Sequence, residues 1–299
     1  MNPVSAHPAS AQDRIDACAA ELITGGSIEM SPDRAGDAAA VGALLPAGSK
    51  VYVNHLPRHP LERSLVALAA LRAAGLDPVP HIAARQVASR AELASFLVAA
   101  ARDSGVAQVL LIGGDRAVPL GPYADALALL REGLLADCGV RAVAFAGHPE
   151  GHPHVAQAAL DAALVHKLEL AGAQGLATSI VTQFSFAPAR VVEYCSELAR
   201  KVPGVPVFVG MAGPTEAAAL LRFAQRCGVS ESLRAMNAQG MGAVRLFMHT
   251  DPREQLSAVA QYCLRHADCN VVGVHLFSFG AAVKSARWMH RMITTGAGA

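Results

Sequence analysis

Two acids and several imidazoles recur at comparable places along the chain, each close behind a short apolar run. Glu29 stands in SIEMSP, Asn54 and His55 in VYVNHL, and His81 in VPHIAA. Gly113, Gly114 and Asp115 close LLIGGD, and His148 and His152 lie in GHPEGHP. Thr182 and Gln183 end the run IVTQ, Gly210 and Gly213 follow the next, and His275 and Ser278 belong to VHLFSFG. Carboxylates and imidazoles gathered in one place can move protons. The Gln183 amide, at the end of an apolar run, must find partners, and its donor–acceptor pair suits the edge of a heterocycle. His148, His152 and His154 invite a metal, but prolines set their spacing and no cysteine joins them, so no metal site is expected. Structural roles remain open for several of these groups. Glu29 can cap the turn at Ser31–Pro32–Asp33, Asp115 can cap the turn after its two glycines, and His81 can be a packed core histidine.

The elements that must position these groups are short and regularly spaced. Strands are expected at Ser27–Met30, Lys50–Leu56, Pro78–Ala83, Gln108–Gly113, Ala142–Gly147, Ser179–Phe184, Val205–Gly210 and Asn270–Phe277. Between them lie Ala/Leu-rich helical stretches: LERSLVALAALRAAG, RAELASFLVAAARDSG, YADALALLREGLLADCG and VVEYCSELARKV. Several end in Gly, as helix C-termini prefer. Near-continuous apolar strands alternating with helices imply a parallel sheet covered on its outside, and eight such units imply closure into a (β/α)8 TIM barrel of class α/β. An open doubly wound sheet would want a glycine-rich turn after its first strand, and SIEMSPDRAGD is not one. The expectation is one catalytic barrel domain over residues 1–299, with an N-terminal extension or helix over 1–20, an extra helix or lid around Ser232–Gly242, and a flexible tail over 292–299. In such a barrel the functional groups project from the C-terminal ends of the strands, where the polar residues above fall.

Bulk composition narrows the partners. Hydrophobic residues make up 53%, and 25 basic side chains nearly balance 24 acidic ones. No basic run interleaves with aromatics, so nucleic acid is not expected as a partner. There is neither a signal-peptide pattern at the N-terminus nor an apolar run of membrane-spanning length, so a membrane partner is not expected either. The six cysteines are scattered without a C-x-x-C pair and are expected to be free thiols in a reducing cytoplasm. The expected partner is a small molecule, and the composition is compatible with a homo-oligomer.

The motifs resemble one family. GHPEGHP followed by IVTQFSF is similar to the P-E-x-H-P loop and T-Q-x-x-F strand of methylenetetrahydrofolate reductases. SIEMSP, PHIAAR, LLIGGD and VHLFSFG resemble that family's other strand-end motifs, in order, from about residue 22 to residue 290. The resemblance implies hydride transfer between NADH or NADPH and the pair 5,10-methylene-/5-methyltetrahydrofolate, with FAD as the relay, in one-carbon and methionine metabolism. It implies Glu29 as the acid that protonates N10 of the folate and Asp115 as the carboxylate beside pterin and flavin. Gln183 and Phe223 would bind the folate or nicotinamide, with His275 on the substrate side. Asn54, His55, His81, Gly113, Gly114, Ala124, His148, His152, Asp161 and Lys167 fall on or beside flavin-contacting positions.

The chain also departs from that pattern. Gly113 stands where the family has arginine, His148 where it has tyrosine, and Asn54-His55 where it has threonine-tyrosine. Leu164 and Leu168 replace an asparagine and a lysine, Lys167 retaining one basic group. Two lost cations facing a pyrophosphate cost roughly 1.5–3 kcal/mol each, so FAD is expected to be held weakly. Three other readings follow: a flavin-independent reductase using NAD(P)H directly, a non-catalytic barrel that binds a folate or one-carbon carrier, and a hydrolase or lyase using Glu29 and Asp115 as a carboxylate pair. For the acid role the Glu29 pKa is expected to be raised.

Overall fold

The computed structural model describes residues 10–215 and 251–296. Eight parallel strands close into a barrel in the order β1-β2-β3-β4-β5-β6-β7-β8. They are β1 Ser27–Met30, β2 Lys50–Val53, β3 Asp77–Ala83, β4 Gln108–Ile112, β5 Ala142–Gly147, β6 Ala177–Thr182, β7 Val207–Ala212 and β8 Val271–Phe277. The principal α-helices are α1 Ala11–Thr24, α2 Ala38–Gly42, α3 Leu65–Ala73, α4 Arg90–Ser104, α5 Ala126–Leu130, α6 Leu134–Asp137, α7 Gln157–Ala173, α8 Pro188–Lys201, α9 Arg253–Arg265 and α10 Ala282–Gly296. No described helix is long and apolar enough to cross a membrane.

Alternation along each strand sorts side chains between two cores. Outward residues such as Ile28, Val51, Ile82, Val109, Val143, Ile180, Val209 and Val274 pack under the helices. Inward residues Tyr52, Val79, Leu110, Ala144 and Val181 fill the barrel, with Ile112 and Phe208 against them. The helices are capped by local chemistry. In α1, Ser10 and Asp13 form a reciprocal capping box. At α4, Ser89 accepts from the Glu92 backbone N–H, and Gly105 ends the helix at φ 63°.

Several boundaries differ from the sequence expectation for identifiable reasons. β2 stops at Val53 rather than Leu56. His55 has left the ladder: its Nδ1 accepts from Ala83 N at 3.1 Å and its Nε2 meets His59 O at 3.0 Å. β6 begins at Ala177, whose N–H donates to Arg141 O, and ends at Thr182, whose hydroxyl accepts from Gly210 N at 2.8 Å. β7 begins at Val207 because Pro206 has no N–H to give the ladder, whereas Val207 N donates to Asn270 O. The stretch YADALALLREGLLADCG is not one helix but two short ones, α5 and α6, broken at Gly133 with φ 71°. The expected tail from 292 is helical through Gly296, with the Thr294 and Thr295 hydroxyls bonded back to helix carbonyls. The extra helix expected around Ser232–Gly242 lies outside the described residues.

Candidate active site

Strand register brings the chemistry together. Ser27 is level with His275, and Glu29 is level with Tyr52 on the neighbouring strand. His81 sits on β3, beyond the position that pairs with Val53. All three titratable groups, Glu29, His81 and His275, are buried at the barrel mouth. The Nε2 atoms of His81 and His275 lie 3.8 and 3.7 Å from Glu29 Oε1. On its other side His275 Nδ1 is 2.8 Å from Ser27 Oγ. The Ser278 hydroxyl donates to Glu29 O at 2.6 Å and ties the end of β8 to β1. Tyr52 underlies the cluster, edge-on to His275 at 4.7 Å and to His81 at 5.9 Å between ring centroids. Its phenol accepts from Gln108 Nε2 at 3.3 Å, and burial pushes its acidity well below that of a free tyrosine.

The electrostatics correct the expectation for Glu29. Burial pushes its carboxyl up, but His275, His81 and the Asn54 side chain together outweigh burial and hold it below the usual glutamate range. His81 is pushed down to about 4, chiefly by burial, with Glu29 opposing and His275 and His55 adding to the shift. Around neutral pH the free protein therefore holds a buried carboxylate beside a neutral His81. An ionised Glu29 favours the His275 tautomer whose Nε2–H faces it, which makes Nδ1 the acceptor and Ser27 Oγ the donor. Both Nε2 atoms are buried without a hydrogen-bond partner at ordinary range.

Asn54 is half-buried beside Glu29. Gln183 follows β6; its N–H donates to Gly147 O, and its Oε1 accepts from Phe184 N at 3.1 Å. Asp115 is exposed on the loop after β4, so Glu29 and Asp115 do not form a buried carboxylate pair. His148 is half-buried, 5.6 Å from the His152 ring, and is pushed down to about 4 by burial and then by the charges of His152 and Lys167. His152 is exposed, and its Nδ1 accepts from His154 N at 3.2 Å. Ala124 is exposed before α5. Phe223 lies outside the described residues. Among the described residues, no group of three or more His, Cys, Asp or Glu side chains is arranged to hold a metal ion.

Reasoning from sequence missed Ser27, Tyr52 and an aromatic wall. Phe184 meets Phe186, Phe277 and Phe279 at 5.7, 5.2 and 5.2 Å between centroids, and Phe277 stands edge-on to His275 at 5.0 Å. Phe279 has φ 50°, a conformation a bulky residue seldom adopts. The signal was present in the paired patterns TQFSF and LFSFG, whose aromatics alternate as a wall requires.

The resemblance sets an isoalloxazine side, with Gln183 beside it as a folate-binding residue, apart from a phosphate side. His81, Gln183 and Asp115 offer polar groups that a fused heterocycle can use. The phosphate side does not fit. Asp161 Oδ2 is already paired with Lys201 at 2.6 Å, and its Oδ1 accepts from Gln157 Nε2 at 2.8 Å. The Lys167 ammonium lies 5.2 Å above the Phe145 ring centroid, its acidity raised by burial. Leu164 and Leu168 are buried in the helix-facing core. Gly114 takes φ 89° against Ala83. A further cation, Arg85, hydrogen-bonds Ala117 O across the loop after β4 and keeps a buried Nε without a hydrogen-bond partner. One guanidinium and a glycine turn do not replace the two cations of the family pattern.

No protein-family model matches the chain. Among solved structures it is similar to dihydropteroate synthase from Thermus thermophilus, with 14% identity over 91% of this chain and 92% of that one and a TM-score of 0.46. It is also similar to 3-dehydroquinate dehydratase from Aquifex aeolicus, with 8% identity over 90% and 97% and a TM-score of 0.48. The corresponding enzyme from Geobacillus kaustophilus gives 16% identity over 65% and 76% and a TM-score of 0.39. Likeness at this level carries no argument about chemistry, and the barrel assignment rests on the closed pairing of the eight strands.

Proposed function

We propose that this barrel is an enzyme that reduces 5,10-methylenetetrahydrofolate to 5-methyltetrahydrofolate with NAD(P)H, or runs the reverse reaction. The observation that carries the reading is the buried Glu29 carboxylate set between His81 Nε2 and His275 Nε2 at the barrel mouth. A pocket that only binds a folate needs no proton donor, whereas a buried carboxylate faced by two imidazoles can carry a proton to a bound substrate. The motifs around Glu29 and Gln183 supply the folate.

Chemistry proceeds in two steps. Glu29, ionised in the free protein, first takes up a proton relayed through His275 and gives it to N10, and the N10–methylene bond opens to leave a 5-iminium cation. The hydride leaves C4 of the nicotinamide and adds to the methylene carbon, giving the 5-methyl product and NAD(P)+. Glu29 is reprotonated through His275, whose two ring nitrogens face Glu29 and Ser27. Gln183 orients the pterin, and the Phe184–Phe277 wall excludes water and holds the rings in near contact. No step is routed through a flavin, since the phosphate side does not fit one.

The test is binding and turnover together. Wild-type protein should bind tetrahydrofolate and oxidise NAD(P)H when 5,10-methylenetetrahydrofolate is supplied. Glu29→Gln should keep the binding and lose the turnover. A wild-type protein with neither property sinks the reading.

A further inference from the structure

Away from the barrel mouth, cysteines that are far apart in sequence converge. Cys18 lies on α1, Cys195 on α8, Cys263 near the end of α9, and Cys269 in the turn leading into β8. The Cys263 and Cys269 sulfurs are 2.9 Å apart, and both residues are half-buried. Cys18 Sγ lies 3.8 Å from Ala260 O on the same helix as Cys263, while Cys195 is buried. The site is remote from Glu29. The first turn of α9 carries Gln255, whose Nε2 reaches Gly210 O at 3.5 Å, and Cys263 lies roughly 12 Å further along the helix axis.

The surroundings hold the pair in place and make its members unequal. Cys269 N donates to His266 O, and the next residue, Asn270, donates through Nδ2 to Val205 O at 2.9 Å. Closing a sulfur–sulfur bond needs a movement of under 1 Å from the observed separation, toward about 2.0 Å. The hydrogen bond between the two sulfurs holds Cys269 below the usual thiol range; burial opposes this, the Val271 backbone N–H assists, and Asp268 opposes. Cys263 is correspondingly pushed far up. Burial raises Cys195 to about 12 and raises Cys18 as well. Tyr262, also facing the cluster, is pushed up to about 12, first by burial and then by the thiols and Asp268. One sulfur of the cluster is thus disposed to be the thiolate, and its immediate neighbour is a thiol within bonding reach.

We infer that Cys263 and Cys269 form a thiol–disulfide exchange site for small-molecule disulfides, closing to an internal Cys263–Cys269 disulfide. The Cys269 thiolate attacks one sulfur of the incoming disulfide, whose S–S bond breaks and releases one thiolate. Cys263 then loses its proton and attacks Cys269 Sγ, and the mixed disulfide breaks to release the second thiolate. Two protein thiols are oxidised by two electrons, and the small disulfide is reduced to two thiols that take up the two protons. This site is independent of the folate reading.

The experiment uses the full chain, reduced, desalted and exposed to oxidised glutathione, then alkylated and mapped by mass spectrometry. The expected product has lost two hydrogens, links Cys263 to Cys269 and leaves the other four of the six cysteines alkylated. Cys263→Ser should accumulate a glutathione adduct on Cys269, and Cys269→Ser should slow adduct formation about tenfold. The wild-type map stands as a test even where a variant fails to fold. Alkylation of both Cys263 and Cys269, under conditions that cross-link the chain in guanidinium, would overturn the inference. A bond from Cys269 to Cys18 or Cys195 would overturn it equally.

Discussion

At the residue scale the account rests on Glu29 and the two imidazoles that face it. Removing the proton donor while keeping its shape should leave folding intact, so Glu29→Gln should lower kcat by about 10²–10⁴ with little change in folate Kd. Ser27→Ala takes away the partner of His275 Nδ1. It should lower kcat about five- to tenfold and leave KM unchanged, because the ring no longer has a fixed tautomer. A change confined to thermal stability would make Ser27 merely structural. Gln183→Ala should weaken folate by about 1–3 kcal/mol, which isothermal titration reads as a roughly 5- to 150-fold rise in Kd. An unchanged Kd with an early melt would assign Gln183 to packing. Sequence could single out Glu29, His81 and His275 because each follows an apolar run, but it could not show that they share one carboxylate oxygen. That meeting depends on barrel closure, which sets Ser27 level with His275 across the seam between β1 and β8. It could not give the sign of the Glu29 shift either, since burial and the facing imidazoles act in opposite directions.

At the element scale, most strands were legible because near-continuous apolar runs bounded by turn residues leave few alternatives. The misplaced ends have local causes that hydropathy does not carry, such as Pro206 lacking a donor and His55 turning its ring to the Ala83 and His59 backbones. Gly133 breaks one expected helix into two because its positive φ is incompatible with a continuous helix. Close packing between elements was also hidden. A Cβ on Gly210 would collide with Thr182 O and lie 2.9 Å from Gln183 C. Gly210→Ala must therefore push β7 away from β6, and a loss of about 1–3 kcal/mol or more is expected in denaturant unfolding. Because the same contact abuts Gln183, folate affinity should fall as well. A variant with wild-type stability would show that the two strands do not approach this closely in solution.

At the scale of the whole molecule, buried neutral histidines make stability depend on pH. The folded-state value of His81 lies near 4, below the ordinary 6.5 of an unfolded chain. Between those values the unfolded chain binds the proton and the folded one does not, so stability is complete above about pH 6.5 and falls as pH drops toward 4. The shift corresponds to about 3 kcal/mol for His81. His148, also near 4, acts in the same direction. Replacing His81 with Asn should flatten this dependence in urea titrations run at a series of pH values, and an unchanged slope would place His81 in contact with water. The barrel as a whole was legible from eight repeated strand–helix units, whereas the function of its mouth comes from motif resemblance joined to geometry. The most direct test of that function is the fate of the hydride. NADH carrying deuterium in both C4 positions should be incubated with 5,10-methylenetetrahydrofolate and the protein, and the folate product analysed by mass spectrometry. 5-Methyltetrahydrofolate with one deuterium in its methyl group is expected from wild type, and about 10²- to 10⁴-fold less of it in the same time from Glu29→Gln. A folded wild-type protein that binds NADH and folate yet yields no 5-methyl product would contradict this reading.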